Sequence, residues 1–280
     1  MTKEFLAAGH TVRAADLDGT DLEPHRSMGA EAACCDVTNR SSLEAVAEGI
    51  DIVVHAAGVF DLSAQPQVMW SVNEDGARVM AQVAADKGAQ RFVMISSTSV
   101  YGRNAIDVTE DAPKNPTHDY DQSKWAGEQA AVQVCIDQAL PYTVLRPTLI
   151  YGPGGRYGIA NALALLALRA QAGLSKLPIA EGGPCGHHIH VEDVARAAVS
   201  LSTDDRAAGG IYNLADDAPL PAGELIRIFG EATGVRITTP ALPWWLTRCF
   251  GLFKPMLRRF FVKENSKLLH LWEKLAKRKE

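Results

Sequence analysis

The stretch from Ser96 to Lys124 constrains this 280-residue chain more than any other. An apolar strand, R-F-V-M-I, runs into S-S-T-S-V-Y-G, a loop with Pro113 and Pro116 follows, and Tyr120 and Lys124 then stand four residues apart. Residues at i and i+4 share one face of a helix, so local geometry alone brings the ammonium to the phenol. A free phenol has a pKa of about 10. For it to take and return a proton near pH 7 that value has to fall by about 3, on the order of 4 kcal/mol in favour of phenolate. A neighbouring cation is one source of that preference. A serine at the carboxyl end of the preceding strand is placed to donate a hydrogen bond to an oxygen that gains or loses the proton. The same tyrosine and lysine also suit a plain solvated helix face, so the pair carries weight only through the order of strand, serines and helix.

Other segments fall into the same alternation. K-E-F-L-A-A-G-H-T-V-R-A-A-D reads as the second half of a helix stopped at Gly9, then a strand ending in Asp16. E-A-A-C-C-D-V-T reads as a short buried strand, and S-S-L-E-A-V-A-E-G as a helix capped by Ser41 or Ser42 and stopped at Gly49. I-D-I-V-V-H-A-A-G is an apolar strand ending in small residues from His55 to Gly58. Such an end lets a ligand lie against the backbone, or lets a helix pack closely. W-S-V-N-E-D-G-A-R-V-M-A-Q-V-A-A-D-K-G sets Val72, Val79, Met80 and Val83 on one helical face. A helix over 121 to about 139 carries Lys124, and P-Y-T-V-L-R-P-T-L-I-Y-G-P-G is a buried strand that breaks at Pro147 and again at Gly152-Pro153. Arg146, inside that strand, reads either as an anion ligand or as a structural residue.

This order of elements resembles the extended short-chain dehydrogenase/reductases, the NAD-dependent epimerase/dehydratase family that also holds the 3β-hydroxysteroid dehydrogenases. The likeness runs from about Phe5 to Gly234. It implies an α/β fold: a Rossmann-like, doubly wound parallel sheet over residues 1–150, with a smaller, mainly substrate-binding domain over 151–280 from which 187–202 return to the sheet domain. It also implies catalytic Ser97 (Ser96 the fallback), Tyr120 and Lys124. Cofactor contacts are expected at Asp16, Asp36, Val37, Ala56, Ala57, Gly58, Asn73, Tyr120, Lys124 and Pro147. Asn73 matches the first asparagine of the family's V-N-x-x-G-T-x-N helix, whose second is Met80 here. In such a fold Asp16 takes the adenosine ribose hydroxyls, which favours NAD over NADP because a 2′-phosphate would be repelled. The family's first strand and Gly-rich pyrophosphate turn should precede Phe5, and residues 1–4 do not contain them. The expectation is an N-terminal truncation of roughly 20 residues and weak NAD binding by the chain as written.

Nucleotide-sugar members of the family carry an arginine for the diphosphate just before the I-H-V segment, where P-C-G-H-H places Gly186. Together with an aromatic C-terminal stretch, this points to the 3β-hydroxysteroid dehydrogenase-like branch, oxidising or reducing an apolar secondary alcohol or ketone. A nucleotide-sugar epimerase/dehydratase is the alternative, and a non-catalytic dinucleotide-binding protein on the same fold is the second. His187, His188 and His190 do not read as a metal site: adjacent and i+2 residues of one strand do not converge on a tetrahedral ion. The family's H-V-x-D-V-A motif accounts for His190 without one.

With 47% apolar and 22% charged residues the chain is of globular type. Its five cysteines lack metal-ligand or disulfide spacing and read as reduced thiols of a cytoplasmic protein. Ten Lys or Arg against three Glu over 244–280 leave a net −12 on residues 1–243, which argues against nucleic acid as a partner of the main surface. The tail P-W-W-L-T-R-C-F-G-L-F-K-P-M-L-R-R-F-F-V reads as a lid over a substrate site, or as a peripheral membrane contact through 244–262 with Leu246, Phe250 and Phe253 on one side and cations on the other. A small-molecule substrate is the expected partner, and a homodimer stays open.

Overall fold

The computed structural model describes residues 1–60, 64–102, 108–155, 159–178 and 185–238. Its elements begin with α1 (Thr2–Ala7), β1 (Arg13–Asp16), α2 (Glu23–Ser27), β2 (Glu31–Cys34), α3 (Arg40–Ala47) and β3 (Ile52–His55). Then come α4 (Pro66–Trp70), a π-helical turn at Ser71–Asp75, α5 (Gly76–Asp86), β4 (Arg91–Ile95), a 3-10 turn at Thr98–Tyr101, α6 (Asp119–Asp137) and β5 (Tyr142–Pro147). β6 (Leu149–Tyr151), α7 (Ile159–Gln171), β7 (Lys176–Pro178), β8 (Cys185–Gly186), β9 (His188–His190) and α8 (Val191–Thr203) follow. The last are β10 (Gly210–Leu214), β11 (Leu220–Pro221), α9 (Ala222–Thr233) and β12 (Arg236–Thr238). Residues 1–150 and 189–215 form one compact unit, and the remaining described residues form a second.

In the first unit four parallel strands run in the order β10-β5-β4-β3, with Val53 opposite Phe92, Val93 opposite Thr143 and Leu145 opposite Tyr212. Strands joined through helices run parallel and are covered on both faces, which is why β4 and β5 read as near-continuous apolar runs. One face is covered from α3, α5 and α6 by Leu43, Met80, Val83, Ala131 and Cys135, against Val53, Phe92, Met94 and Val144. The other is covered from α1 and α8 by Phe5 and Ala198, against Val93 and Leu145. Helices on both faces of a parallel sheet make this a doubly wound α/β fold. β1 pairs with β2 as a separate parallel pair, and no strand among the described residues joins β1 to β3. Arg13 ties that pair to α3, its Nη1 donating to the carbonyls of Val46 at 2.9 Å and Glu48 at 2.8 Å.

Local structure departs from the sequence pattern at three places, in β2, at the cap of α3 and around Asn73. β2 is half-buried at Ala32 and Ala33 and exposed at its ends, because helices do not enclose the pair as they do the larger sheet. The cap of α3 is Asn39, whose Oδ1 accepts from the amides of Ser41 and Ser42, while Ser42 Oγ instead accepts from the amide of Asp36. The helix expected around Asn73 is interrupted by the π turn, which inserts a residue and separates Val72 from the face carrying Met80 and Val83. α8 is capped by His190, whose Nδ1 accepts from the amide of Glu192, with Glu192 and Asp193 in the first turn.

In the second unit Leu166 of α7, Phe229 of α9 and Val235 form a small core. β7 pairs parallel with β12 and β8 antiparallel with β11. Gly234, at φ +77°, ends α9 in the left-handed conformation that favours glycine.

The tightest packing in the first unit lies between α6 and the π turn. A Cβ at Gly127 would stand 1.9 Å from the carbonyl oxygen of Asn73 and 3.2 Å from the Cα of Glu74. Both are backbone atoms, so the two segments must move apart to admit a methyl group. Replacing glycine by alanine inside a helix ordinarily gains about 1 kcal/mol. Here overpacking outweighs that gain, and Gly127→Ala should lower unfolding stability by about 2 kcal/mol in a denaturant titration at unchanged m-value.

Candidate active site at the carboxyl end of the sheet

Ser97, Tyr120 and Lys124 meet at the carboxyl ends of β3, β4 and β5. Ser97 is the N-cap of the 3-10 turn after β4, and its Oγ accepts from the amide of Ser99 at 3.1 Å. Ser97 is near enough to the Tyr120 phenol to favour its ionised form against burial. Ser96 faces elsewhere: its hydroxyl donates to Glu128 Oε2 at 2.6 Å. Ser97 rather than Ser96 is therefore the serine at the phenol. Lys124 lies one turn beyond Tyr120 on α6, is 5% exposed, and donates from Nζ to the Ile95 carbonyl at 2.7 Å. The Tyr120 ring stands edge-on to Phe60 at 4.8 Å between centroids.

The remaining sequence candidates fall into two groups. Ala56, Ala57 and Gly58 continue from β3 beside the lysine, and a Cβ at Gly58 would lie 3.2 Å from Asn73 Oδ1 and 3.7 Å from Lys124 Nζ. Asn73 is 1% exposed and braces this turn: Oδ1 accepts from the Val59 amide at 2.7 Å, and Nδ2 donates to the Val59 carbonyl and to Ser123 Oγ. Both amide protons are thereby engaged with protein groups, so Asn73 shapes the turn from below rather than opening onto it. Pro147 is buried at the end of β5, its carbonyl accepting from Thr98 Oγ1 at 3.3 Å. Asp16 and Asp36 form the other group, at the carboxyl end of the β1–β2 pair. Asp16 is exposed, with Oδ1 accepting from the Leu17 amide, and Asp36 accepts from the amide and hydroxyl of Thr38. Val37 points into packing, since a Cβ at Gly76 would come within 2.9 Å of its Cγ2.

These residues fit the two ends of a dinucleotide. An exposed carboxylate at a strand end suits ribose hydroxyls, and the side-chain-free surface at Gly58, beside an ammonium, admits a flat ring and its ribose. The three-glycine spacing of a pyrophosphate turn does occur in the chain, at Gly152, Gly155 and Gly158, but after β6 rather than before β1, and Gly158 lies outside the described residues.

Residues 1–215 match the NAD dependent epimerase/dehydratase family. The chain belongs to that family. Family members are NAD-dependent enzymes, and the relatives fall on both sides of its chemistry. Sterol demethylase protein B of Methylococcus capsulatus is 25% identical over 271 residues, covering 95% of this chain and 80% of the relative. UDP-glucose 4-epimerase of Vibrio cholerae is 25% identical over 228 residues, covering 77% of this chain and 67% of the relative. Among solved structures, a UDP-glucose 4-epimerase with UDP-glucose from Thermotoga maritima superposes with a TM-score of 0.72 at 21% identity, covering 85% of this chain and 80% of that one. Against several curated relatives the chain spans about half to two thirds of their length.

Electrostatics at this candidate site are set by burial. Desolvation pushes the Tyr120 phenol up to about 12, Ser97 opposing and the Asp121 carboxylate adding to it. The sequence suggested instead a phenol lowered by Lys124. The reason for the difference is that the ammonium is turned to the Ile95 carbonyl. Burial brings Lys124 down to about 8, against a smaller upward pull from Glu128. His55 is driven to about 3 by burial first and Lys124 second, so it is neutral throughout the physiological range; it stacks on Phe92.

Two residues that site reading from the sequence passed over are Glu128 and Tyr101. Arg146, 1% exposed, forms a two-pronged pair with Glu128, 2% exposed, and also donates to Tyr101 Oη at 2.6 Å. That settles Arg146 as structural in this chain, and a cation inside the apolar run T-V-L-R-P was the available signal for a buried acidic partner. Among the described residues no group of three His, Cys, Asp or Glu is placed to hold a metal ion. His187 Nδ1 lies 3.3 Å from the Asp216 carbonyl.

The Lys124 value fixes a stability effect. A folded-state pKa near 8 against about 10.4 unfolded means that between these values the unfolded chain binds more protons, so stability rises with pH from 8 to about 10.5. Below pH 8 the buried ammonium costs on the order of 3 kcal/mol, and removing it would leave the Ile95 carbonyl short of a donor at about 1 kcal/mol. Lys124→Met should therefore raise unfolding stability at pH 7 by roughly 2 kcal/mol, and the difference should shrink toward pH 10. Equal stability of the two proteins at pH 7 would contradict the buried charge.

Proposed function

We propose that this chain is an NAD-dependent oxidoreductase that interconverts a secondary alcohol and a ketone on an apolar, sterol-like substrate. The observation that carries the reading is the convergence of Ser97 after β4 with Tyr120 and Lys124 on one turn of α6, Ser97 near enough to act on the Tyr120 phenol. In oxidation Tyr120 takes the alcohol proton, Ser97 donates a hydrogen bond to the substrate oxygen, and the Lys124 ammonium stabilises the phenolate. NAD, when bound, supplies the hydride acceptor. Residues suited to hold it are Asp16 at the adenosine ribose and Gly58 with Lys124 at the nicotinamide end.

The sterol reading is supported by a sterol relative whose likeness covers 95% of the chain and by Gly186 at the place of a diphosphate-binding arginine. A nucleotide-sugar epimerase is the second reading, supported by the likeness to the Vibrio cholerae enzyme. Incubation with NAD and a 3β-hydroxysterol should give net NADH, whereas an epimerase would interconvert UDP-glucose and UDP-galactose without net NADH. The segment at 244–262, read from the sequence as a lid or a membrane contact, lies outside the described residues; no helix among the described residues is long and apolar enough to cross a membrane.

Tyr120→Phe should reduce kcat by more than tenfold, on the order of the 10²–10⁴ that a general acid or base contributes, and leave NAD affinity within a few-fold. Retention of more than about a tenth of kcat would exclude Tyr120 as the acid/base. NAD should be preferred over NADP, with Asp16→Ala narrowing the preference in paired fluorescence titrations; equal affinities in the parent would remove Asp16 from the ribose site.

A further inference from the structure

We propose that Glu128 is a positioning residue of the Ser97, Tyr120 and Lys124 site, a buried carboxylate that ties the end of β4 to α6 and keeps Lys124 an ammonium ion. The assignment rests on the proposed site but not on any particular substrate.

Its basis is a pair of parallel ties. Ile95 and Ser96 are the two residues immediately before Ser97. The first is held through its carbonyl by Lys124 Nζ at 2.7 Å, the second through its hydroxyl by Glu128 Oε2 at 2.6 Å. Lys124 and Glu128 are four residues apart on α6, so successive turns of one helix grip successive residues of one strand end. Ser97 then leaves the strand at a point fixed relative to Tyr120, one turn back on the same helix. Freed of Glu128, the Ser96 hydroxyl would be buried without its acceptor.

The carboxylate is itself immobilised. Arg146 Nε donates to Glu128 Oε2 at 3.0 Å and Nη2 to Oε1, while Nη1 reaches Tyr101 Oη at 2.6 Å and the Glu110 carbonyl at 3.2 Å. Tyr101 in turn donates to Asn213 Oδ1 at 2.8 Å, and the Asn213 amide donates to Glu110 Oε1 at 2.8 Å. A buried charge whose every oxygen is engaged has one geometry available to it.

The charged and titratable groups around Lys124 leave Glu128 as the one that acts on it. α6 carries Tyr120, which is neutral, the Asp121 carboxylate, and Glu128. β3 presents the neutral His55, β4 a carbonyl, the π turn the uncharged Asn73, and β5 the Arg146 cation already paired with Glu128. Of the carboxylates, Glu128 is the one that favours the charged lysine against burial.

The test is the titration of Lys124 in the full chain, read by NMR of Cε-labelled lysine and assigned with Lys124→Arg. The parent should titrate near pH 8. E128Q should move the midpoint down by more than about half a pH unit, and E128D, which keeps the charge, should restore most of the shift. Because E128Q strands Arg146 in the core, the double variant E128Q/R146M, which removes both buried charges, provides a folded comparison and should also titrate below the parent. An unchanged or raised midpoint in either variant overturns the proposal, as does equal lowering by E128Q and E128D, which would indicate loss of packing alone. A lowered midpoint in a protein that turns over no alcohol would uphold the role of Glu128 and refute the proposed reaction, so the two failures are distinct.

Discussion

A single buried ammonium governs the organisation of the first unit. Lys124 is 5% exposed at the carboxyl end of a sheet whose strands are otherwise apolar, and burial brings its pKa to about 8. Holding a cation there at neutral pH costs on the order of 3 kcal/mol, a substantial share of the 5–15 kcal/mol by which a domain of this kind is stable. The cost is offset by the core on either side of it: Phe92, Met94, Val144 and Leu145 are buried almost completely between two helical layers. The site is thus a place where the fold gives up stability for a charge.

Positioning that charge depends on one helix coming unusually close to another segment. α6 approaches the π turn so nearly that only glycine fits at position 127, and from this contact Asn73 reaches both the Val59 backbone and Ser123. A π turn shifts the phase of a helix by one residue, and here the shift separates a core-facing stretch, α5, from the residue that braces the turn after β3. Sheet, turn and helix consequently share one frame. The strands deliver His55, Ile95 and Pro147 to one edge, and α6 lays Tyr120, Lys124 and Glu128 across it at successive turns. Openings of this kind at the carboxyl ends of parallel strands are where such folds bind their ligands.

Much of this was legible in the residues. The apolar runs at 52–55, 91–95 and 142–147 appear as strands of one sheet, and the Tyr-x-x-x-Lys spacing places its two residues on one helix beside the end of β4. What escaped was decided by tertiary partners. The residues S-S-T-S do not themselves say which serine faces the phenol, and only the family resemblance pointed to Ser97; in the structure Glu128, 32 residues away, takes Ser96. Asn39 displaced two serines as the cap of α3 because Ser42 is occupied with the Asp36 amide. The periodicity around Asn73 suggested one continuous helix, and the π turn is invisible to a pattern that assumes a constant period. Lys124 at i+4 from Tyr120 implied proximity, yet a lysine side chain has several staggered arrangements, and here the carbonyl of Ile95 competes with the phenol for it.

That competition bears on the proposed chemistry through its magnitudes. Burial sets the phenol at about 12, with Ser97 already opposing it. Working as a base near pH 7 requires a further drop of about 5, or roughly 7 kcal/mol in favour of phenolate. An ammonium brought to about 4 Å supplies about 4 kcal/mol at an effective dielectric of 20. That is the larger part of what is needed, and it is available only if Lys124 faces the phenol while still protonated. A lysine with a pKa near 8 is protonated at neutral pH but with little margin, so losing the carboxylate that favours its charge would withdraw that contribution just where the phenol depends on it. Glu128 is therefore tied to catalysis through two links at once: the charge of the lysine, and the place of the serine on the other side of the phenol.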